Sequence, residues 1–214
     1  MSAEEEKRLA AITVADLIEP GTSVGLGTGT TVAYLLETIA RRGIRARYVA
    51  TSPRTAESAR TLGIAVEEFD ELDVLDLAID GADQIAPDGW LVKGRGGAHL
   101  REKIVAAAAR RFVVIADSSK TVAQLHTPVP LELRPFGLHA TLRELGSVTL
   151  RDLGLSPDGG LIADFIGVFA SPRELSERLA ATPGVSAHGL FAPDLVSEII
   201  VATGKTVTRS VPGG

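Results

Sequence analysis

Three short stretches of the chain gather residue types able to do chemistry. The first is Asp80-Gly81-Ala82-Asp83, a pair of carboxylates directly after an apolar run. Carboxylates are costly at the edge of a buried sheet unless solvent, a cation or a ligand hydroxyl meets them. The plainer reading is two turn-forming aspartates accepting from backbone N–H groups. The second is Lys93-Gly94-Arg95-Gly96-Gly97-Ala98-His99-Leu100-Arg101-Glu102-Lys103. Here a mobile cation precedes glycines that let backbone N–H groups approach a ligand, and a glutamate follows on the first or second turn of a helix. Taken alone, Glu102 reads more readily as a surface glutamate paired with a neighbouring Lys or Arg than as a catalytic one. The third is the glycine loop Gly25-Leu26-Gly27-Thr28-Gly29-Thr30-Thr31.

That loop fails two cofactor fingerprints. A dinucleotide loop needs a third glycine where Thr30 stands and an acidic residue after the next strand, where Thr51 and Ser52 stand. A nucleoside-triphosphate loop needs a lysine that this one lacks. Backbone N–H groups and threonine hydroxyls opening a helix remain, and they suit a single phosphate or carboxylate; a tight turn without a ligand is the alternative. Asp80, Asp83 and Asp88 do not match a calcium loop. His99, His126, His139 and His188 form no spaced ligand pair. No metal and no cofactor are expected.

The elements around these stretches place them together. Residues 5–18 read as a helix stopped by Pro20-Gly21, and residues 23–26 as a short buried strand running into the glycine loop and a second helix. The rhythm repeats: residues 48–50 extended, 56–62 helical, 75–79 extended, 90–92 extended, 100–110 helical and 112–116 extended, closing on Asp117-Ser118-Ser119-Lys120. Strands alternating with helices predict an α/β fold, a Rossmann-like parallel sheet with helices on both faces. Ligands gather at the carboxyl ends of such strands, where the loops at 27–31, 51–52, 80–83 and 117–120 converge. From residue 128 the order becomes βαββαβ, which predicts a smaller α+β, ferredoxin-like domain. The division is 1–127 with 204–214 for the first domain and 128–203 for the second, inserted one, although residues 197–202 and 206–211 also suit a return to the first sheet. Residues 211–214 are expected to fray.

Composition narrows the classes further. The chain has no cysteine, so thiolate nucleophiles, disulfides and sulfur-held metals drop out. A net charge of -5 disfavours a nucleic-acid partner, and the basic stretch at 41–47 reads as a solvated helix end and strand side. No apolar run approaches the roughly 18 residues of a membrane span, and the acidic start lacks the order of a secretory signal. A cytoplasmic protein is expected.

The segment Thr28-Gly29-Thr30-Thr31, Thr51-Ser52, Asp80-Gly81-Ala82-Asp83, residues 93–103 and Ala116-Asp117-Ser118-Ser119-Lys120 closely resemble, in order and spacing, the A-type ribose-5-phosphate isomerases. The resemblance spans nearly the whole chain and extends to Pro183-Gly184-Val185 and Gly189-Leu190-Phe191. It implies an aldose–ketose isomerase of the pentose phosphate pathway that interconverts ribose 5-phosphate and ribulose 5-phosphate through an enediolate, without a metal. It implies Glu102 as the base, Asp80 and Lys93 in ring opening and proton handling, and Asp83 near the same hydroxyls. It also implies a phosphate held by Thr30, Thr31, Lys7, Lys120 and the loop N–H groups, with Thr28, Gly29, Gly94, Gly96 and Gly97 completing the substrate-binding set. A homodimer or homotetramer goes with the family. Two other readings share the architecture: a sugar-phosphate sensor that binds without turnover, and a thioester-dependent transferase with a catalytic glutamate.

Three positions depart from the family pattern. Gln84 replaces a glutamate, Arg95 a glycine and His99 an aliphatic residue. Were position 95 to need a positive φ, a side chain there costs on the order of 1 kcal/mol. A guanidinium at the site also favours a more acidic ligand.

Overall fold

The computed structural model describes residues 1–212. Its first helix, α1 (Ala3–Val14), opens on a capping box in which Ser2 Oγ accepts from Glu5 N and the Glu5 carboxylate accepts from Ser2 N at 2.7 Å. After it come β1 (Ser23–Leu26), α2 (Thr30–Arg42), β2 (Arg47–Ala50), α3 (Pro53–Thr61), β3 (Val66–Glu67) and β4 (Leu77–Gly81). Two short strands, β5 (Gln84–Ile85) and β6 (Leu91–Val92), precede α4 (His99–Ala108) and β7 (Phe112–Asp117). The βαββαβ unit is β8 (Val129–Leu133), α5 (Leu138–Leu145), β9 (Val148–Leu150), β10 (Leu161–Phe165), α6 (Pro172–Ala181) and β11 (Val185–His188). The chain returns through β12 (Leu190–Phe191), β13 (Glu198–Thr203) and β14 (Thr206–Ser210).

The large sheet runs β14-β13-β7-β4-β1-β2-β3, parallel except for β14. Its order reverses between β1 and β4, and ligands of doubly wound sheets bind outside the strand ends at such a reversal. β7 shows why both faces are covered. Val113 and Ile115 pack into the core shared with α1 and α2, while Phe112, Val114 and Ala116 pack into the core shared with α4. A strand buried on both faces reads as a continuous apolar run. Burying one side chain such as Ile115 stabilises the fold by about 1.5–3 kcal/mol.

The smaller sheet, β11-β8-β10-β9, is antiparallel, the arrangement expected for a ferredoxin-like unit. Leu145 of α5 and Leu175 and Leu179 of α6 join Val129, Leu131 and Phe165 in its core. β8 and β11 also contact α4, so that helix lies between the two sheets. A three-stranded sheet, β12-β6-β5, links the units beside the glycine-rich stretch.

Some expectations are revised. β13, inside the 128–203 assignment, pairs in parallel with β7, from Glu198 opposite Val113 to Ala202 opposite Asp117, so residues 198–203 belong to the first sheet. β3 and β5, two residues each, are too short to show a period in sequence. The last strand of the βαββαβ order ends at His188, separated from β12 by Gly189. A side chain there would collide with the Lys93 carbonyl. Of the residues expected to fray, Gly213 and Gly214 lie outside the described ones.

Candidate active site

The centre of the site is built where β1 and β4 end. Gly27 follows β1, and a Cβ at that position would overlap the Asp80 carboxylate, so only glycine allows the two strand ends this close. Asp80 Oδ1 accepts from Thr28 N at 3.0 Å and from Gly81 N at 2.7 Å. The Thr28 hydroxyl lies 3.0 Å from Thr51 Oγ1 and 2.9 Å from Ser52 Oγ, so the 51–52 loop braces the glycine loop from behind.

Lys93 leaves the end of β6, its own N–H held by Gly189 O at 2.8 Å. Its ammonium donates to Asp80 Oδ2 at 2.7 Å and stands 3.2 Å from Glu102 Oε2, on the first turn of α4. Asp80, Lys93 and Glu102 are 3, 2 and 4% exposed, so little water screens them. Burial alone would pull Lys93 down, but the carboxylates of Asp80 and Glu102 outweigh it and hold the ammonium above its ordinary range. Burial, followed by the charge of Asp80, pushes Glu102 up to about 7 against the pull of Lys93. Burial also works upward on Asp80, opposed by Lys93 and by the Gly81 and Thr28 N–H groups.

The other end of the site is basic. α2 begins after Gly29 with no side-chain cap and no acidic residue in its first turn, leaving N–H groups free for an anion. Lys7 approaches from α1, paired with Glu4 at 2.6 Å. Lys120 ends a 3₁₀ turn, Ser118–Lys120, whose start is capped by Asp117 accepting from Ser119 N at 3.0 Å.

A cavity of about 410 Å³ joins the two ends. It brings together Lys7, Thr28, Gly29, Thr30, Thr31, Asp83, Lys93, Gly94, Gly96, Glu102 and Lys120, residues drawn from stretches far apart in the chain. Asp80 and Gly97, singled out with them, are not in its lining; Asp80 sits buried against Lys93. Gly81, Ala82 and Arg95 complete the wall. Arg95 is exposed, and its N–H donates to Asp83 Oδ2 at 3.0 Å. Among the described residues none other than glycine has a positive φ, so the condition for strain at Arg95 is not met. The positive φ of 102° falls on Gly94, which lies against the His99 ring.

His99 itself is fully buried, and neither ring nitrogen makes a well-aligned hydrogen bond. Burial, then the charge of Lys103, pushes its pKa down to about 3. It supports the loop and is absent from the cavity lining. Among the described residues no group of three or more His, Asp or Glu is placed to hold a metal ion.

Sequence reasoning missed the supports of the site. Arg151 of the smaller unit donates through Nη1 to Arg95 O at 2.9 Å and forms a bidentate pair with Asp164 at 2.6 and 2.7 Å. Arg101, beside Glu102, pairs with Asp158 at 2.8 Å. Arg151 and Arg95, like Arg101 and Asp158, lie more than fifty residues apart in the chain, and no local pattern announces them.

A doubly wound sheet whose switch point holds a buried lysine between two carboxylates, with an uncapped helix start across the cavity, is the architecture of an α/β enzyme with a polar site for a small molecule. Residues 47–206 match the family profile of ribose 5-phosphate isomerase A (phosphoriboisomerase A). Ribose-5-phosphate isomerase A of Caulobacter sp. (strain K31) is 40% identical over 227 residues, covering 99% of this chain and 100% of the relative. The crystal structure of ribose 5-phosphate isomerase A from Neisseria gonorrhoeae superposes with a TM-score of 0.94 at 31% identity, covering 100% of this chain and 99% of that one. A D-ribose-5-phosphate isomerase in complex with phospho-erythronic acid gives 0.92 at 32% identity, covering 99% and 100%. The chain belongs to the ribose 5-phosphate isomerase A family.

Proposed function

We propose that this protein interconverts ribose 5-phosphate and ribulose 5-phosphate through an enediolate, with Glu102 as the base. The observation that carries the reading is the single Lys93 ammonium set between Asp80 and Glu102 at 2.7 and 3.2 Å. It leaves Glu102 on the cavity wall with a proton affinity near neutrality, where a general base is most effective.

In the open-chain aldose, Glu102 takes the proton from C2. The carbonyl oxygen at C1 gathers charge as the enediolate forms, and a preorganised cation or N–H donor there is worth a few kcal/mol. Lys93 and the N–H groups of the 94–97 loop are the donors this reading assigns. Returning the proton to C1, while the hydroxyl proton on the C2 oxygen passes to the oxygen on C1, completes the ketose. Asp83, on the same wall, handles hydroxyl protons. Asp80 is given the task of fixing the Lys93 ammonium rather than touching the sugar, since it is absent from the cavity lining.

The phosphate belongs at the basic end, on the α2 N-terminus with Thr30, Thr31, Lys7 and Lys120. A related enzyme in this fold carries phospho-erythronic acid, an acid with a phosphate at one end, which suits the same division of the cavity. Binding remote from the reacting carbons then orients the sugar for proton transfer. The family resemblance adds a cytoplasmic homodimer or homotetramer.

The test is conversion of ribose 5-phosphate by chelator-treated protein beside Glu102→Gln. Activity that survives chelation and collapses in the variant supports the reading. Binding without turnover by the native protein would instead make it a sensor.

A further inference from the structure

Glu6 is the one acidic residue of the α1 start turned into the protein. It is 7% exposed, and its two oxygens serve separate neighbours. Oε2 accepts from Ser118 N at 3.0 Å and Ser118 Oγ at 2.7 Å; Oε1 accepts from Gly204 N at 2.7 Å. One carboxylate thus clamps α1 to the first residue of the 118–120 turn and to the β13–β14 hairpin.

The consequence lies in its neighbours. Lys7 is the next residue along α1, and Lys120 closes the turn that Ser118 opens; both line the basic end of the cavity. A lysine ammonium sits on a long, flexible stem, so the position of its backbone decides where it reaches. Two such cations from separate elements bind a phosphate well only if those elements are already fixed relative to one another. Glu6 is the side chain that joins them directly. Asp117 pins the same turn from its other side through Ser119 N.

We propose that Glu6 is a positioning residue for phosphate binding, setting the Lys7–Lys120 pair by clamping α1 to the 118–120 turn. The proposal rests on the phosphate end assigned above. Its signature is a KM effect without a kcat effect, because the clamp lies away from Glu102 and Lys93.

The experiment measures KM and kcat for ribose 5-phosphate, and inhibition by inorganic phosphate, in the native protein, Glu6→Gln and Ser118→Ala, with Tm alongside. Gln keeps the shape but turns one acceptor into a donor facing N–H groups; Ser118→Ala removes a single donor and serves if Glu6→Gln folds poorly. Losing one such bond corresponds to about a tenfold effect. KM and the phosphate inhibition constant are expected to rise together by about tenfold in Glu6→Gln and less in Ser118→Ala, with kcat within about twofold. A fall in Tm with both constants unchanged would overturn the proposal and leave Glu6 merely structural. Native protein that turns over the sugar phosphate yet ignores inorganic phosphate would overturn the assigned phosphate end itself, and the proposal with it.

Discussion

The Glu102 carboxylate lies 3.2 Å from the same Lys93 ammonium that donates to Asp80 at 2.7 Å. One positive charge is therefore shared between two buried carboxylates, and Asp80 holds the shorter contact together with two backbone N–H groups. Glu102 is the member left under-compensated, which is the condition for a base that both takes up and releases a proton near neutral pH.

The first prediction concerns pH and Glu102. The carboxylate must be ionised to act, so kcat falls as pH drops through about 7. Stability carries the opposite sign. The folded state holds the Glu102 proton to about 7 against an ordinary 4.5, so its contribution is full below 4.5 and is lost as pH rises through 7. Glu102→Gln should stabilise the fold at pH 8 by an amount on the order of 1–3 kcal/mol, read as a higher Tm, and the gain should shrink toward pH 4.5. Calorimetry of both proteins across this range checks it.

Asp80→Asn separates holding from proton transfer. Removing the charge frees Lys93 to favour Glu102 and deletes a repulsion that raises the Glu102 pKa. The acid limb of kcat should move below 7 while kcat itself falls. Breaking a buried pair costs up to about 3–5 kcal/mol, so Tm drops as well. A pH–rate profile with an unmoved acid limb would remove Asp80 from this role.

The strand and helix order, the ferredoxin-like unit and the convergence of four loops were legible in the sequence because each rests on local periodicity and turn chemistry. β7 is an example: the apolar run at 112–116 reads directly as a strand, and the structure extends it by one residue to Asp117. The division of labour within the site was not legible. Nothing local distinguishes Asp80, buried against Lys93, from Asp83 on the cavity wall three residues later, since the difference arises from β4 ending against Gly27. Arg95 in place of a glycine raised the question of a positive φ at position 95, and the positive φ belongs to Gly94 beside it. The supports from Arg151, Asp158 and Glu6 depend on tertiary neighbours and have no signature along the chain.

Glu4 occupies Lys7, a cation that the proposed function assigns to the phosphate. Lys7 donates to Glu4 at 2.6 Å, and Tyr34 donates to the other carboxylate oxygen at 2.7 Å, holding Glu4 in place. Glu4→Gln should lower KM for ribose 5-phosphate by about two- to fivefold at low salt, with kcat unchanged, and the difference should fade at high salt. Initial-rate kinetics at two ionic strengths test this.

His99→Leu should stabilise the protein without altering the substrate constants. The ring is buried beside Gly94 and held neutral, with a pKa of about 3 against an ordinary 6.5. The unfolded chain takes up that proton below 6.5, so the histidine costs stability increasingly as pH falls toward 3. The advantage of the leucine variant should therefore grow on acidification, opposite in slope to that of Glu102→Gln. Thermal melts from pH 8 to 5 decide the sign, and a KM shift would contradict the supporting role given to this ring.

The claim that Glu102 moves a proton between two carbons is tested most directly by hydrogen exchange at C2 of ribose 5-phosphate in D₂O, followed by NMR. The native protein, treated with chelator, should introduce deuterium as it turns over, and Glu102→Gln should do so at least about 100-fold more slowly while still binding the sugar phosphate. Exchange by the variant at the native rate would contradict the account.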